Sequence, residues 1–142
     1  MTSQANPSPE NRQEATPYLC CKGAAGAIEF YKKAFGASEE QRIVQPDGRV
    51  GHAEIRIGGA LLMLADEFPE IDFRSPQSLG GSAVMIHLYV AEVDALFSRA
   101  LGAGAKVKRP IEDQPYGDRD CQLTDPFGHV WILATRTVKE QA

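Results

Sequence analysis

The chain has 142 residues, 43% of them hydrophobic, and a formal net charge of −4 spread along its length. That suits one compact domain, or two small halves sharing a core. There is no basic run to hold nucleic acid, and no apolar stretch near the roughly 18 residues that span a bilayer.

In chain order, residues 1–14 are polar and proline-bearing and predict a disordered tail. They lack the charged start and apolar core of a secretory signal. "PYLCC" (17–21) reads as a strand, and "AIEFYKKAFGA" (27–37) as a helix with Ile28, Tyr31, Ala34 and Phe35 on one face. Strand candidates follow at 39–45, 50–57 and 60–66, with the Asp-Gly of "PDGR" (46–49) forming a tight hairpin. Residues 67–83, "EFPEIDFRSPQSLGGSA", read as a long loop between halves, placed to cover a pocket or to move. The order then repeats. "VMIHLYV" (84–90) is a strand, "VDALFSRALGAGA" (93–105) a helix, and 105–112, 120–124 and 129–135 are strands. Gly36 and Gly102 are the expected helix stops, since glycine tolerates positive φ. The domain is thus α+β, with module one at 15–66, module two at 84–137 and a short tail at 138–142.

Alternation along the strands sorts side chains by face. Ala53, Ile55 and Ile57 should pack on the helix of module one, leaving His52, Glu54 and Arg56 on the other face. Ile86, Leu88 and Val90 oppose Met85, His87 and Tyr89. Leu19 and Cys21 oppose Thr16, Tyr18 and Cys20. Cys121 and Leu123 pack inward and leave Asp120, Gln122 and Thr124, while Val130, Ile132 and Ala134 share a face. The free faces therefore collect histidines, acids, amides and tyrosines among small apolar groups. If the sheets curl, these faces line a mixed pocket of the kind that holds ligands. The other reading is a solvated sheet face, which would leave Met63, Met85 and Ile132 exposed.

The doubled βαβββ order, with "TPYL…AIEFYKKAFGA", "PDGRVGHAEIRIGG", "HLYVAEVDALFSRALGAGA" and "YGDRD…DPFGHVWILATR", resembles the vicinal-oxygen-chelate superfamily. That superfamily shares the glyoxalase/bleomycin resistance/dioxygenase fold, and the likeness is greatest to its PhnB-like branch. The resemblance covers residues 15–137. It implies two tandem modules forming a curled mixed sheet around a cavity, in a homodimer. It places the metal-ligating positions of relatives at Thr16, Met63, Met85 and Ile132. None is His, Asp or Glu, and a hard divalent cation needs oxygen or imidazole. The resemblance therefore implies a cavity without a conventional metal or other cofactor.

Several residues invite chemistry. His52, Glu54 and His87 face the expected cavity. They suit either a displaced two-histidine, one-carboxylate metal site or a metal-free acid–base pair for an isomerase or lyase. An ion pair of Glu54 with Arg56 is the plainer alternative. Tyr18, Tyr89 and Tyr116 offer stacking and hydroxyl contacts to a planar ligand. Arg119 either grips a ligand carboxylate or phosphate or pairs with Asp118 or Asp120. Cys20, Arg56, Met63, Met85, Gln122 and Ile132 complete the expected lining. His129, in "DPFGH" (125–129), reads as hairpin structure, with Asp125 folded back onto backbone N–H groups. Cys20, Cys21 and Cys121 show neither a disulfide framework nor zinc spacing, which points to a reduced, cytoplasmic setting. The expected partner is a small organic molecule bound without metal. The alternatives are the acid–base enzyme and a non-catalytic structural dimer.

Overall fold

The structure, a computed structural model, describes residues 13–137. The expected N-terminal tail lies almost wholly outside these residues, and the tail at 138–142 lies entirely outside them. Module one runs β1 (Tyr18–Cys21), α1 (Ala24–Phe35), β2 (Ser38–Val44), β3 (Val50–Ile57) and β4 (Ala60–Asp66). A single 3-10 turn (Pro69–Ile71) and a short helix, α2 (Pro76–Leu79), break up the loop between the modules. Module two runs β5 (Met85–Tyr89), α3 (Val93–Ala103), β6 (Lys106–Asp113), β7 (Asp118–Thr124) and β8 (Val130–Arg136). Among the described residues no helix is long and apolar enough to cross a membrane.

Each module forms one four-stranded mixed sheet, in the orders β1-β4-β3-β2 and β5-β8-β7-β6. The first and last strands of each module run parallel. Tyr18 stands opposite Met63, and His87 opposite Ile132, so the two registers repeat at the same spacing of 69 residues. The repeat extends to helix capping. The Asp66 carboxylate at the end of β4 accepts from the N–H groups of Gly23 (3.1 Å) and Ala24 (2.8 Å) at the start of α1. Thr135, 69 residues on, accepts from Val93 N at 2.9 Å at the start of α3. Neither helix has a cap from its own N-cap side chain, so the neighbouring strand satisfies donors that would otherwise be orphaned.

One helix stop departs from expectation. α1 ends at Gly36, in the left-handed region (φ 70°), as its sequence predicts. α3 runs through Gly102 and ends at Gly104, at φ 121°. Gly-Ala-Gly offers two stops, and the chain uses the later one, which lengthens α3 by two residues.

The modules meet through their helices. α1 is buried on a broad face that includes Ala27, Ile28, Tyr31, Ala34 and Phe35. It packs on its own sheet and also on Trp131 of β8, with ring centroids 4.8 Å from Phe35 and 5.5 Å from Tyr31. Trp131, Tyr31, Ile28, Leu64, Leu123 and Leu133 are fully buried in one core that runs through both modules. Each such side chain stabilises the fold by roughly 1.5–3 kcal/mol relative to exposure. Arg99 of α3 donates to the last carbonyls of α1, Lys33 O at 2.7 Å and Lys32 O at 3.3 Å. A cation placed there also complements the negative end of that helix.

With the helices between them, the two sheets turn their other faces outward and stay open. They do not wrap each other within one chain. Met85 is 51% exposed and Tyr89 52%, whereas Met63 and Ile132 are half-buried.

Candidate functional site

The hairpin at 125–129 is a structural corner. Asp125 is buried, and its Oδ1 accepts from Phe127 N (2.8 Å) and His129 N (3.0 Å), the backward fold its sequence predicts. Its Oδ2 accepts from Trp131 Nε1 at 2.9 Å and from the Tyr31 hydroxyl of the other module. His129 is also buried and bonds the carbonyl of Cys20 at 2.9 Å through Nε2, tying β8 to β1. Gly128 has φ 91°, and a Cβ there would lie 2.8 Å from Pro76 Cβ, so both conformation and space demand glycine.

Next to this corner lies a cavity of about 670 Å³, within the usual range for organic ligands. Tyr18 and Cys20 of β1, Met85 and His87 of β5, and Phe73 and Arg74 of the inter-module loop border it. Among the sequence-predicted residues, the tightest group is on module one. The Tyr18 hydroxyl lies 2.7 Å from His52 Nδ1, and His52 Nε2 lies 2.9 Å from Glu54 Oε2. β3 presents His52 and Glu54 two residues apart on one face, and β1 carries Tyr18 beside them. Burial, and then the charge of Glu54, push the Tyr18 phenol up, so it stays protonated at neutral pH. Phe73 meets the Tyr18 ring edge-on at 5.9 Å.

His87 does not join this group. It packs against the Tyr89 ring at 4.7 Å and borders the cavity from β5. Arg56 does not pair with Glu54: its Nε lies 3.4 Å from Glu40 and its Nη1 3.3 Å from Gly59 O. The histidine, not the arginine, partners Glu54, although all three share one face of β3, because Arg56 is drawn to Glu40 and the Gly59 carbonyl.

Module two holds two buried acids on its open face, Asp118 and Asp120. Asp118 accepts from Arg136 Nε (2.7 Å) and Tyr89 OH (2.9 Å), and Arg136 also donates to Tyr89 OH at 2.9 Å. Asp120 accepts from Tyr116 OH at 2.7 Å and Gln114 Nε2 at 3.0 Å. Arg109 Nη1 sits 2.9 Å from Asp120 Oδ1, as an ion pair without hydrogen-bond alignment. Burial raises the Asp120 carboxyl, and the contacts from Tyr116, Arg109 and Gln114 outweigh it, so the group is held below the ordinary carboxylate range. Gln122 lies between Arg109 and Ile132 in register. Asp118, Arg109 and Phe73 are absent from the sequence-derived site. Continuing the alternation of β7 two residues back from Asp120 finds Asp118; Arg109 and Phe73 have no such local signal.

Arg119 stands apart from this face. It makes a two-point contact with Asp94 (2.7 and 3.0 Å) and another with Asp113 (3.2 Å), fastening β7 to the first turn of α3. Neither Asp118 nor Asp120 partners it, because odd and even residues of β7 point to opposite sides. Burial, with Glu67 and Asp66 adding to it, pushes the Cys20 thiol up to about 11, which keeps it protonated at neutral pH.

The positions that the family resemblance marks as metal-ligating carry a hydroxyl at Thr16, thioethers at Met63 and Met85, and an alkyl chain at Ile132. This donor set does not fit a hard divalent cation. Among the described residues no group of three or more His, Cys, Asp and Glu is placed to hold a metal ion.

Comparison with known proteins agrees with this architecture. An uncharacterised protein of Mycobacterium bovis is 50% identical over 121 residues, covering 83% of this chain and 80% of that protein. Among solved structures, TioX from Micromonospora sp. ML1 superposes with a TM-score of 0.68 at 25% identity, covering 91% of this chain and all of the other. A PhnB protein from Bacillus cereus superposes with a TM-score of 0.66 at 21% identity, covering 87% and 99%. The sequence pattern of the Glyoxalase/Bleomycin resistance protein/Dioxygenase superfamily matches residues 15–133, and the chain belongs to that superfamily.

Proposed function

We propose that this protein binds a small organic ligand without a resident metal, in a cavity built on the open sheet faces and completed by a second copy of the chain. The observation that carries this reading is the makeup of the open faces. Tyr18, Met85, Tyr89 and Tyr116 are each 45% or more exposed on the open side of their modules, whereas the positions that the family resemblance marks for metal hold hydroxyl, thioether and alkyl groups. Aromatic and thioether surfaces grip flat apolar ligands, and a few fixed polar groups orient them. Here Tyr18 with His52, and Tyr89 with Arg136, provide those polar groups.

The test is a thermal-shift screen with planar aromatic ligands, run with and without chelator. A saturable rise in Tm that chelator leaves unchanged is the expected outcome. Stoichiometric metal on the purified protein, whose removal abolishes the shift, would overturn it.

A second reading, an isomerase or lyase, is favoured by the Tyr18–His52–Glu54 chain of hydrogen bonds. Such a chain can move a proton to or from a group next to a carbonyl.

A further inference from the structure

We propose that Tyr18 is the specificity-determining residue of the cavity and presents a hydrogen-bond acceptor, so the site selects ring ligands bearing a hydroxyl, phenols and enols, over their ethers. This deepens the ligand-binding reading above and rests on it.

The argument follows the protons. An ionised carboxylate only accepts hydrogen bonds. Glu54 Oε2 lies 2.9 Å from His52 Nε2, so in the neutral imidazole that nitrogen carries the proton. The opposite nitrogen, Nδ1, then has only a lone pair, and its partner at 2.7 Å is the Tyr18 hydroxyl. Tyr18 must donate there. Its one proton is committed, and what its oxygen offers the cavity is lone pairs. A ligand hydroxyl can complete the chain as donor. A ligand ether or carbonyl oxygen meets lone pair with lone pair and gains nothing.

The remaining lining gives the rest of the ligand class. Phe73 fixes the Tyr18 ring edge-on at 5.9 Å, and Met85 borders the same cavity. These surfaces suit a flat ring attached to the hydroxyl. The second module does not duplicate the device. His87 occupies the position of Tyr18 in the repeated register and packs on Tyr89. Its other neighbours across the sheet are Ile132 and, beyond it, Gln122. The acceptor is therefore confined to one wall.

The probes are 4-methylphenol and its methyl ether, 4-methylanisole. Both are uncharged at about pH 7.5, since a phenol titrates near 10. Binding is followed by NMR chemical-shift titration of the full chain. The wild type should bind the phenol about fivefold to tenfold more tightly than the ether, the worth of one ordinary hydrogen bond. Tyr18→Phe, which keeps the ring and its contact with Phe73, should bring the ratio to about one. Glu54→Gln should lower the ratio without removing Tyr18, because an amide can donate to Nε2 and reverse the tautomer. Side-chain nitrogen shifts should place the neutral proton of His52 on Nε2 in the wild type.

Equal affinities in the wild type, a preference that survives Tyr18→Phe, or a proton found on Nδ1 would each overturn the assignment while leaving ligand binding intact. Failure of both probes to bind, up to their solubility limits, would overturn the cavity reading itself, and this assignment with it.

Discussion

At the scale of single residues, two acids in this chain look alike in sequence and behave differently. Asp125 and Glu54 each sit two to four residues from a histidine. Asp125 is buried, with four donors converging on it from the hairpin backbone, Trp131 and Tyr31. Glu54 lies on an open face with one histidine partner. Asp125→Ala would strip acceptors from Tyr31 and Trp131 in the middle of the shared core. Each buried donor left unmet costs on the order of 1–3 kcal/mol, so the variant should lose at least about 3 kcal/mol, read as a lower urea midpoint. A loss under about 1 kcal/mol would mean that water reaches the corner and satisfies those donors. The local half of this site was legible in the sequence, because an Asx turn is made by near neighbours. The bond from Tyr31 was not: it joins residues 94 positions apart, and no periodicity encodes which phenol meets which carboxylate.

At the scale of elements, strand alternation placed His52 and Glu54 on one face of β3 and Tyr18 on the open face of β1, but the partner it suggested for the pair was His87, and the structure puts Tyr18 there instead. What it could not give was the partner of a charged side chain with several candidates in reach. Arg119 had acids on both sides in sequence, yet joins Asp94 of α3 and Asp113 of β6, because its strand face points toward the helix. The inter-module segment was legible only as a loop. In the structure it is tied down: Glu67 Oε2 accepts from Ser75 N at 2.8 Å and Ser78 Oγ at 2.5 Å, and α2 then begins. Bonds from Ser75 and Ser78 hold the Glu67 carboxyl down to about 2, against an ordinary value of 4.5. The unfolded chain therefore binds this proton more readily than the folded one. The stabilisation is complete above the unfolded value and is lost as pH falls through the folded one. Glu67→Gln should melt lower than the wild type at neutral pH, and the gap should close between about pH 4.5 and pH 2. The group is only partly buried, so solvent screens it and the gap corresponds to at most about 1 kcal/mol. A gap that stays constant across that range would mean the carboxylate's charge contributes nothing to holding the loop.

At the scale of the whole molecule, the sequence showed which residues share a face but not whether the two faces meet within one chain. That depends on where α1 lies, and α1 lies against both sheets, with Phe35 and Tyr31 on Trp131 of the other module. Packing the helices inward turns the sheet faces out. A single exposed methionine or tyrosine needs no explanation. Met85 and Tyr89 are different: they share one face of β5 on either side of His87, about half of each is exposed, and Met85 borders the cavity together with Tyr18. A contiguous surface of this kind marks an interaction site. Under the proposed function, the occupant that would also complete a ligand cavity is a second copy presenting the complementary face. Light scattering should then give about twice the 15.5 kDa chain mass, and Tm should rise with protein concentration. Met85→Glu puts a charge on that surface without touching the core, so the monomer should keep its circular dichroism spectrum while dimerisation weakens at least about tenfold. Planar ligands should also bind less tightly, because the variant places a charge in the cavity lining and one wall of the proposed site leaves with the second copy. A wild type that stays monomeric at high concentration, yet binds ligand with full affinity, would mean that one chain's open face is the entire site.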